Sequence, residues 1–75
     1  MAGLPMLSGR DLLKIFVALG YNITHMRGSH MRLHHPTRKP ITIPNYKSIS
    51  KGLLRKILRQ SNMSVKEFLD LISSN

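Results

Sequence analysis

The sequence predicts an α+β fold: a helix, three antiparallel strands, then a second and a shorter third helix. Three observations carry this. Apolar residues recur at three- and four-residue spacing in two stretches bounded by capping residues. Between them lie two short runs of β-branched or aromatic residues around a turn at Gly28. A third short run, "ITIP", is bracketed by prolines. A chain of 75 residues makes one domain over 1–75, and at this size only about 60 % of the unfolded surface is buried, so the core is thin.

The stretch "SGRDLLKIFVALGY" has a helix signature at both ends. Ser8 is an N-cap, Asp11 stands at the capping-box position, and Gly20 supplies a left-handed stop. Leu12, Leu13, Phe16, Val17 and Leu19 between them form the stripe of a helix laid on a core.

"YNITHM" and "HMRLHH" then predict a hairpin. A three-residue loop of Arg27, Gly28 and Ser29 sets Ile23 opposite Leu33, Tyr21 opposite His35 and His25 opposite Met31, a mostly apolar face. The other face carries Asn22, Thr24, Met26, His30, Arg32 and His34. A two-residue loop would place Ile23 on a face with Arg27 and Arg32, so the three-residue loop is the expectation, because a slip of one residue turns every side chain over. Residues 41–44 are a third strand with Ile41 and Ile43 inward, confined to an edge by Pro40 and Pro44, which donate nothing to a ladder.

"NYKSIS" reads as a connector. Ser50 caps a helix over "KGLLRKILRQ" whose inner stripe is Leu54, Ile57 and Leu58, with Lys51, Arg55, Lys56 and Arg59 mostly outside. Asn62 is the stop, and Ser64 with Glu67 forms a capping box for a last helix ending near Ile72.

One string needs separate treatment. "MRGSHM" at 26–31 contains Gly-Ser-His-Met, the residue that removal of an affinity tag leaves at a terminus. Its place inside the chain, between two strand-like segments, makes it native sequence, and His30 becomes a residue to explain.

Composition narrows the function. Twelve Lys and Arg against three acids give a formal charge of +9, an excess that opposes compactness and fits an anionic partner, nucleic acid first. The bases run from Arg10 to Lys66 rather than forming a tail, so the folded surface is expected to be positive. With no cysteine there is neither a disulfide framework nor a thiolate zinc site. No apolar run approaches the roughly 18 residues of a membrane span, and "MAGLPML" lacks the basic start of a signal peptide. A cytoplasmic protein with no membrane partner is the expectation.

The element order, with "GSH" opening the second strand, resembles the HicA family of bacterial toxins, also called YcfA-like. "SGRDLLKIFVALGY" looks like the family's first helix, "RGSHMRLHHP" its hairpin, "ITIPNYKSISKGLLRKILRQ" its third strand and second helix, and "MSVKEFL" its tail. The resemblance implies an α-β-β-β-α sandwich like that of double-stranded RNA-binding domains, with a three-stranded antiparallel sheet and helices on one face. It also implies an endoribonuclease that cleaves mRNA without the ribosome and a HicB antitoxin that masks it. The family's catalytic histidine falls on His30, in an active-site loop with Gly28 and Ser29. Two positions depart from the pattern: Leu53 stands where many members carry Thr, and Asn62 where many carry Gly.

The residues are compatible with that chemistry. Metal-independent RNA cleavage needs a proton taken from the ribose 2′-hydroxyl and one given to the departing 5′-oxygen, and histidine does either near neutral pH. No second acid or base has an equal claim. Arg27 and Arg32 flank His30, and Lys51 opens a helix, a position suited to phosphate. Arg10, Arg38, Lys39, Lys47 and Arg55 complete the residues expected to contact phosphate, against the bland reading of a solvated surface. His25, His34 and His35 read as structural residues or auxiliary RNA contacts. A metal site is disfavoured: His30 and His34 face the same way but stand about 13 Å apart along an extended strand. The four aromatics, Phe16, Tyr21, Tyr46 and Phe68, mostly look like core, which favours recognition through shape and phosphates over base stacking. No cofactor is expected. The alternative function is a non-catalytic double-stranded-RNA-binding module of the same fold.

Overall fold

The computed structural model describes residues 3–73. Its elements run α1 (Gly9–Leu19), β1 (Asn22–Arg27), β2 (His30–His34), β3 (Ile41–Pro44), α2 (Lys51–Gln60) and α3 (Val65–Ser73). This is the expected α+β arrangement, α-β-β-β-α with a short third helix added, and its antiparallel sheet has the order β1-β2-β3.

Local chemistry sets the helix ends where the sequence predicts them. At α1 the Ser8 hydroxyl accepts from the Asp11 N–H at 3.0 Å and the Asp11 carboxylate accepts from the Ser8 N–H at 3.2 Å, a complete capping box. Gly20, at φ 115°, ends the helix and donates to the Val17 carbonyl at 3.0 Å. Ser50 caps α2 by accepting from the Leu53 N–H at 3.2 Å, and Asn62 makes the left-handed stop at φ 60°. Ser64 and Glu67 form the last capping box.

One apolar cluster joins the layers. Met31, Leu33, Ile41 and Ile43 point from β2 and β3 toward Leu12 and Phe16 of α1 and Leu54, Ile57 and Leu58 of α2, all buried. Phe68 brings α3 onto this core by stacking on Phe16, ring centroids 6.3 Å apart. Tyr21, 1 % exposed, meets the Phe16 ring edge-on and donates its hydroxyl to the Lys39 carbonyl at 2.8 Å. The segment "NYKSIS" does more than connect: Ile49 is fully buried and donates its N–H to the Leu7 carbonyl at 2.7 Å.

The hairpin departs from the expected register. Ile23 pairs with Leu33 as predicted, but His25 pairs with Arg32, Met26 with Met31 and Arg27 with His30, the shift falling between Ile23 and His25. The loop therefore has two residues, Gly28 and Ser29, not three. A bulge at Thr24 reconciles the two registers weighed above, because one extra residue keeps Ile23 on the inner face while turning His25 and Arg27 outward. Met26 correspondingly moves to the inner side and His25 leaves it. Gly28 sits at φ 59° and Ser29 does not share a positive φ, the sign pattern of a type II′ turn. The inner side of β1 also extends past the helices: Ile23 is 41 % exposed and Met26 58 %, although their partners on β2 are buried.

Candidate active site

His30 is the first residue of β2 and exposed on the outer face, between Arg27 on β1 and Pro44 on β3. Arg32 follows two residues along the same face, where its guanidinium donates to the Thr42 hydroxyl at 2.9 Å. The bulge adds His25 to this face, so on the outer surface of β1 and β2 His30 is accompanied by two further histidines, His25 and His34, and by Arg27 and Arg32.

Two of the other histidines, His34 and His35, have partners that explain them. His34 Nδ1 lies 2.6 Å from the Thr24 hydroxyl, a contact across the bulge. His35 is half-buried against Tyr21, ring centroids 4.9 Å apart. Its Nδ1 accepts from the Thr37 and Arg38 N–H groups at 3.0 and 3.1 Å, which leaves Nε2 as the donor to the Leu19 carbonyl at 3.1 Å. His30 is different: its ring meets that of Tyr46 edge-on at 6.3 Å, and both border a pocket.

This pocket, about 190 Å³, lies between the outer side of β3 and α2. Thr42 and Pro44 form its floor with the Ile57 side chain. Leu53, Lys56 and Gln60 complete the α2 wall; with Ile57 they sit at i, i+3, i+4 and i+7, one stripe of a helix. The Tyr46 ring is 45 % exposed, so three of the four aromatics are core and this one is not.

The fold brings together only part of the expected set. Arg27 and Arg32 share the outer face with His30, and Gly28 and Ser29 form the turn immediately before it. The Ser29 carbonyl accepts the Asn45 N–H, tying this turn to the segment that carries Tyr46. Lys47 follows Tyr46 and is exposed, as are Arg10 on α1 and Lys51 and Arg55 on α2, but none of these four lines the pocket. Arg38 and Lys39 lie beyond the opposite end of β2, more than about 13 Å along the strand from His30. There they border a separate cavity with Thr37, and Arg38 pairs with Glu67 at 3.6 Å. The sequence does not single out Tyr46, Lys56, Gln60 or Thr42 as site residues; the second stripe on α2, beside the core stripe, is a signal for Lys56 and Gln60 alone.

Among the described residues no three His, Cys, Asp or Glu side chains gather into a set able to hold a metal ion, and no helix is long and apolar enough to cross a membrane.

Comparison with known proteins gives one result: a family model described as the HicA toxin of bacterial toxin-antitoxin matches residues 9–63. No match is found among curated proteins or among solved structures.

Proposed function

The chain belongs to the HicA toxin family of bacterial toxin–antitoxin systems, and from that premise we propose that it is an endoribonuclease whose catalytic residue is His30. It cleaves mRNA without ribosome or metal and is held inactive by a HicB-like antitoxin in the cytoplasm. The observation that carries the reading is the placement of His30: an exposed imidazole on a sheet face with two arginines, at the rim of a pocket.

In this mechanism the His30 ring takes the proton of a ribose 2′-hydroxyl. The 2′-oxygen attacks phosphorus, the P–O2′ bond forms and the P–O5′ bond breaks, the departing 5′-oxygen takes a proton from water, and the proton held by His30 returns to solvent. Arg27 and Arg32 offset the charge that builds on the phosphoryl oxygens, strongest where water is partly excluded. One positioned acid–base group contributes about 10²- to 10⁴-fold, so the enzyme is modest.

The test is cleavage of a purified mRNA in chelator, without ribosomes. His30→Ala is expected to lose cleavage by about 10²- to 10⁴-fold while keeping its RNA affinity. Wild type that binds RNA and never cuts it would establish the non-catalytic RNA-binding module instead.

A further inference from the structure

We propose that the pocket beside His30 seats one unpaired nucleobase next to the cleaved bond, stacked on Tyr46 and read at its edge by the Gln60 amide. This rests on the ribonuclease reading of His30 and adds to it a determinant of cleavage-site choice.

The size comes first. At about 190 Å³ the pocket falls below the roughly 300–1,000 Å³ of sites for drug-sized ligands, which suits a single planar ring. Its chemistry points the same way. Pro44, Leu53 and Ile57 give it an apolar lining, while Lys56 and Gln60 on the α2 wall supply donors and one acceptor. No carboxylate lines it, so nothing repels a phosphate entering beside the base.

Tyr46 is the second argument. An aromatic ring 45 % exposed loses the burial that ordinarily keeps such a ring on a folded surface. Its backbone is nevertheless fixed, because its carbonyl accepts the Gly9 N–H at 2.8 Å and its neighbour Asn45 is bonded to Ser29. The ring is thus presented by a rigid segment, edge-on to His30 at 6.3 Å. A base stacked on such a ring gains about 1–3 kcal/mol by alanine substitution in other proteins, a factor of roughly 5 to 150 in affinity. A base held there places its own phosphodiester at the imidazole. Lys56, on the α2 wall, meets the adjoining phosphate.

Gln60 then supplies selectivity. A side-chain amide offers a donor and an acceptor side by side, the pattern that pairs in bidentate fashion with a base edge and rejects the wrong base by a factor of roughly 5 to 150. An unpaired base exposes that edge, which a duplex hides.

The experiment has two readouts on wild type, Gln60→Ala, Tyr46→Leu and Tyr46→Phe. The exposed positions of both side chains keep these variants folded, which thermal unfolding verifies. The first readout is the base distribution at cut sites on one long mRNA. The second is anisotropy of labelled 2′-fluoro homohexanucleotides of A, C, G and U, which lack the attacking hydroxyl. Expected are a preferred base at one position beside the cut, its loss by roughly tenfold in Gln60→Ala, a fall in hexamer affinity of about fivefold or more in Tyr46→Leu, and retention in Tyr46→Phe. Unchanged cut-site distributions and affinities in both variants overturn the proposal. Should wild type cut nothing yet bind hexamers in a base-selective, Tyr46- and Gln60-dependent way, the ribonuclease reading falls while the base pocket stands.

Discussion

The N–H of Gly9 donates to the carbonyl of Tyr46 across 2.8 Å, and this contact exists because Gly9 has no side chain. A Cβ there would stand 2.1 Å from the Pro44 carbonyl oxygen and 2.9 Å from Asn45 Cα, both backbone atoms that cannot swing aside. The start of α1 is therefore pressed onto the segment that presents Tyr46. Gly9→Ala is expected to cost about 1–3 kcal/mol through overpacking, a Tm drop of roughly 5–20 °C for a chain of this size, measured by circular dichroism. Gly52→Ala is the control: nothing lies within 4 Å of a Cβ at that position, and alanine is the better helix former by up to about 1 kcal/mol. Equal melting of the two variants would refute the close approach at Gly9.

Tyr21 joins the core to the β2–β3 loop. Its hydroxyl donates to the Lys39 carbonyl at 2.8 Å while its ring packs on Phe16 and His35. Tyr21→Phe keeps the packing and removes the donor, so a loss of about 0.5–1.5 kcal/mol is expected from denaturant unfolding with an unchanged m-value. A loss near 4 kcal/mol would mean that the ring, and not only the hydroxyl, is held differently.

His35 and His30 are predicted to fail in opposite ways. His35 bridges the end of α1 to the β2–β3 loop through one donated and two accepted hydrogen bonds. His35→Ala is expected to destabilise by about 2–4 kcal/mol, since removing the ring leaves partly buried backbone groups unpartnered. His30→Ala removes an exposed ring and is expected to change stability by less than about 0.5 kcal/mol. Parallel melts of the two variants, beside an RNA cleavage assay at a temperature where both are folded, separate a structural histidine from a chemical one. If His30→Ala melts as early as His35→Ala, the imidazole at position 30 has a structural task.

These residues also mark how far the sequence alone was legible. Helix ends were readable because a cap is local: Ser8 with Asp11, Ser50, Asn62, and Ser64 with Glu67 each act within a few residues of the end they set. The hairpin register was not, because a bulge at Thr24 lets Ile23 keep its place opposite Leu33 while the turn closes with two residues, a combination that alternation alone does not foresee. His30 was found through the "GSH" string, and its place on the outer face survived the register change because it follows the turn. The pocket was invisible for another reason. Thr42, Pro44 and Tyr46 meet Lys56 and Gln60 only after α2 folds back along β3, and no short motif spans that distance.

Two titrating groups give stability opposite pH dependences. Hydrogen bonds from the Ser8 backbone and side chain, aided by Lys14, hold the Asp11 carboxyl below its ordinary value. A depressed acid adds stability that is present above the ordinary carboxylate range and lost as pH falls through its folded value, because the unfolded chain binds the proton first. Burial raises the Tyr21 phenol above its ordinary value, opposed by Arg38. That contribution is present below the ordinary tyrosine range and lost as pH rises through the folded value. Stability is thus expected to fall at both extremes, with Asp11→Asn flattening the acid limb and Tyr21→Phe the alkaline one. Melts from acid to alkaline pH that leave both limbs unaltered in these variants would remove both assignments.

The positions of the arginines make the last prediction. Arg27 and Arg32 share the face of His30, whereas Arg38 stands at the far end of the sheet and is paired with Glu67 at 3.6 Å. Each phosphate neutralised by a cation releases counterions, so log Kd against log salt steepens by about 0.7 per contact on a single strand. Arg27→Ala and Arg32→Ala are each expected to shallow the slope by about that amount for an uncleavable RNA. Arg38→Ala should leave it nearly unchanged, because its charge is already partly answered by Glu67 and lies at the far end of the sheet from His30. The pairing itself is half-exposed and worth at most about 1 kcal/mol, so Arg38→Ala also leaves a folded protein for the comparison. A slope that drops for Arg38 and not for Arg27 or Arg32 would move the RNA track to the opposite end of the sheet, away from His30.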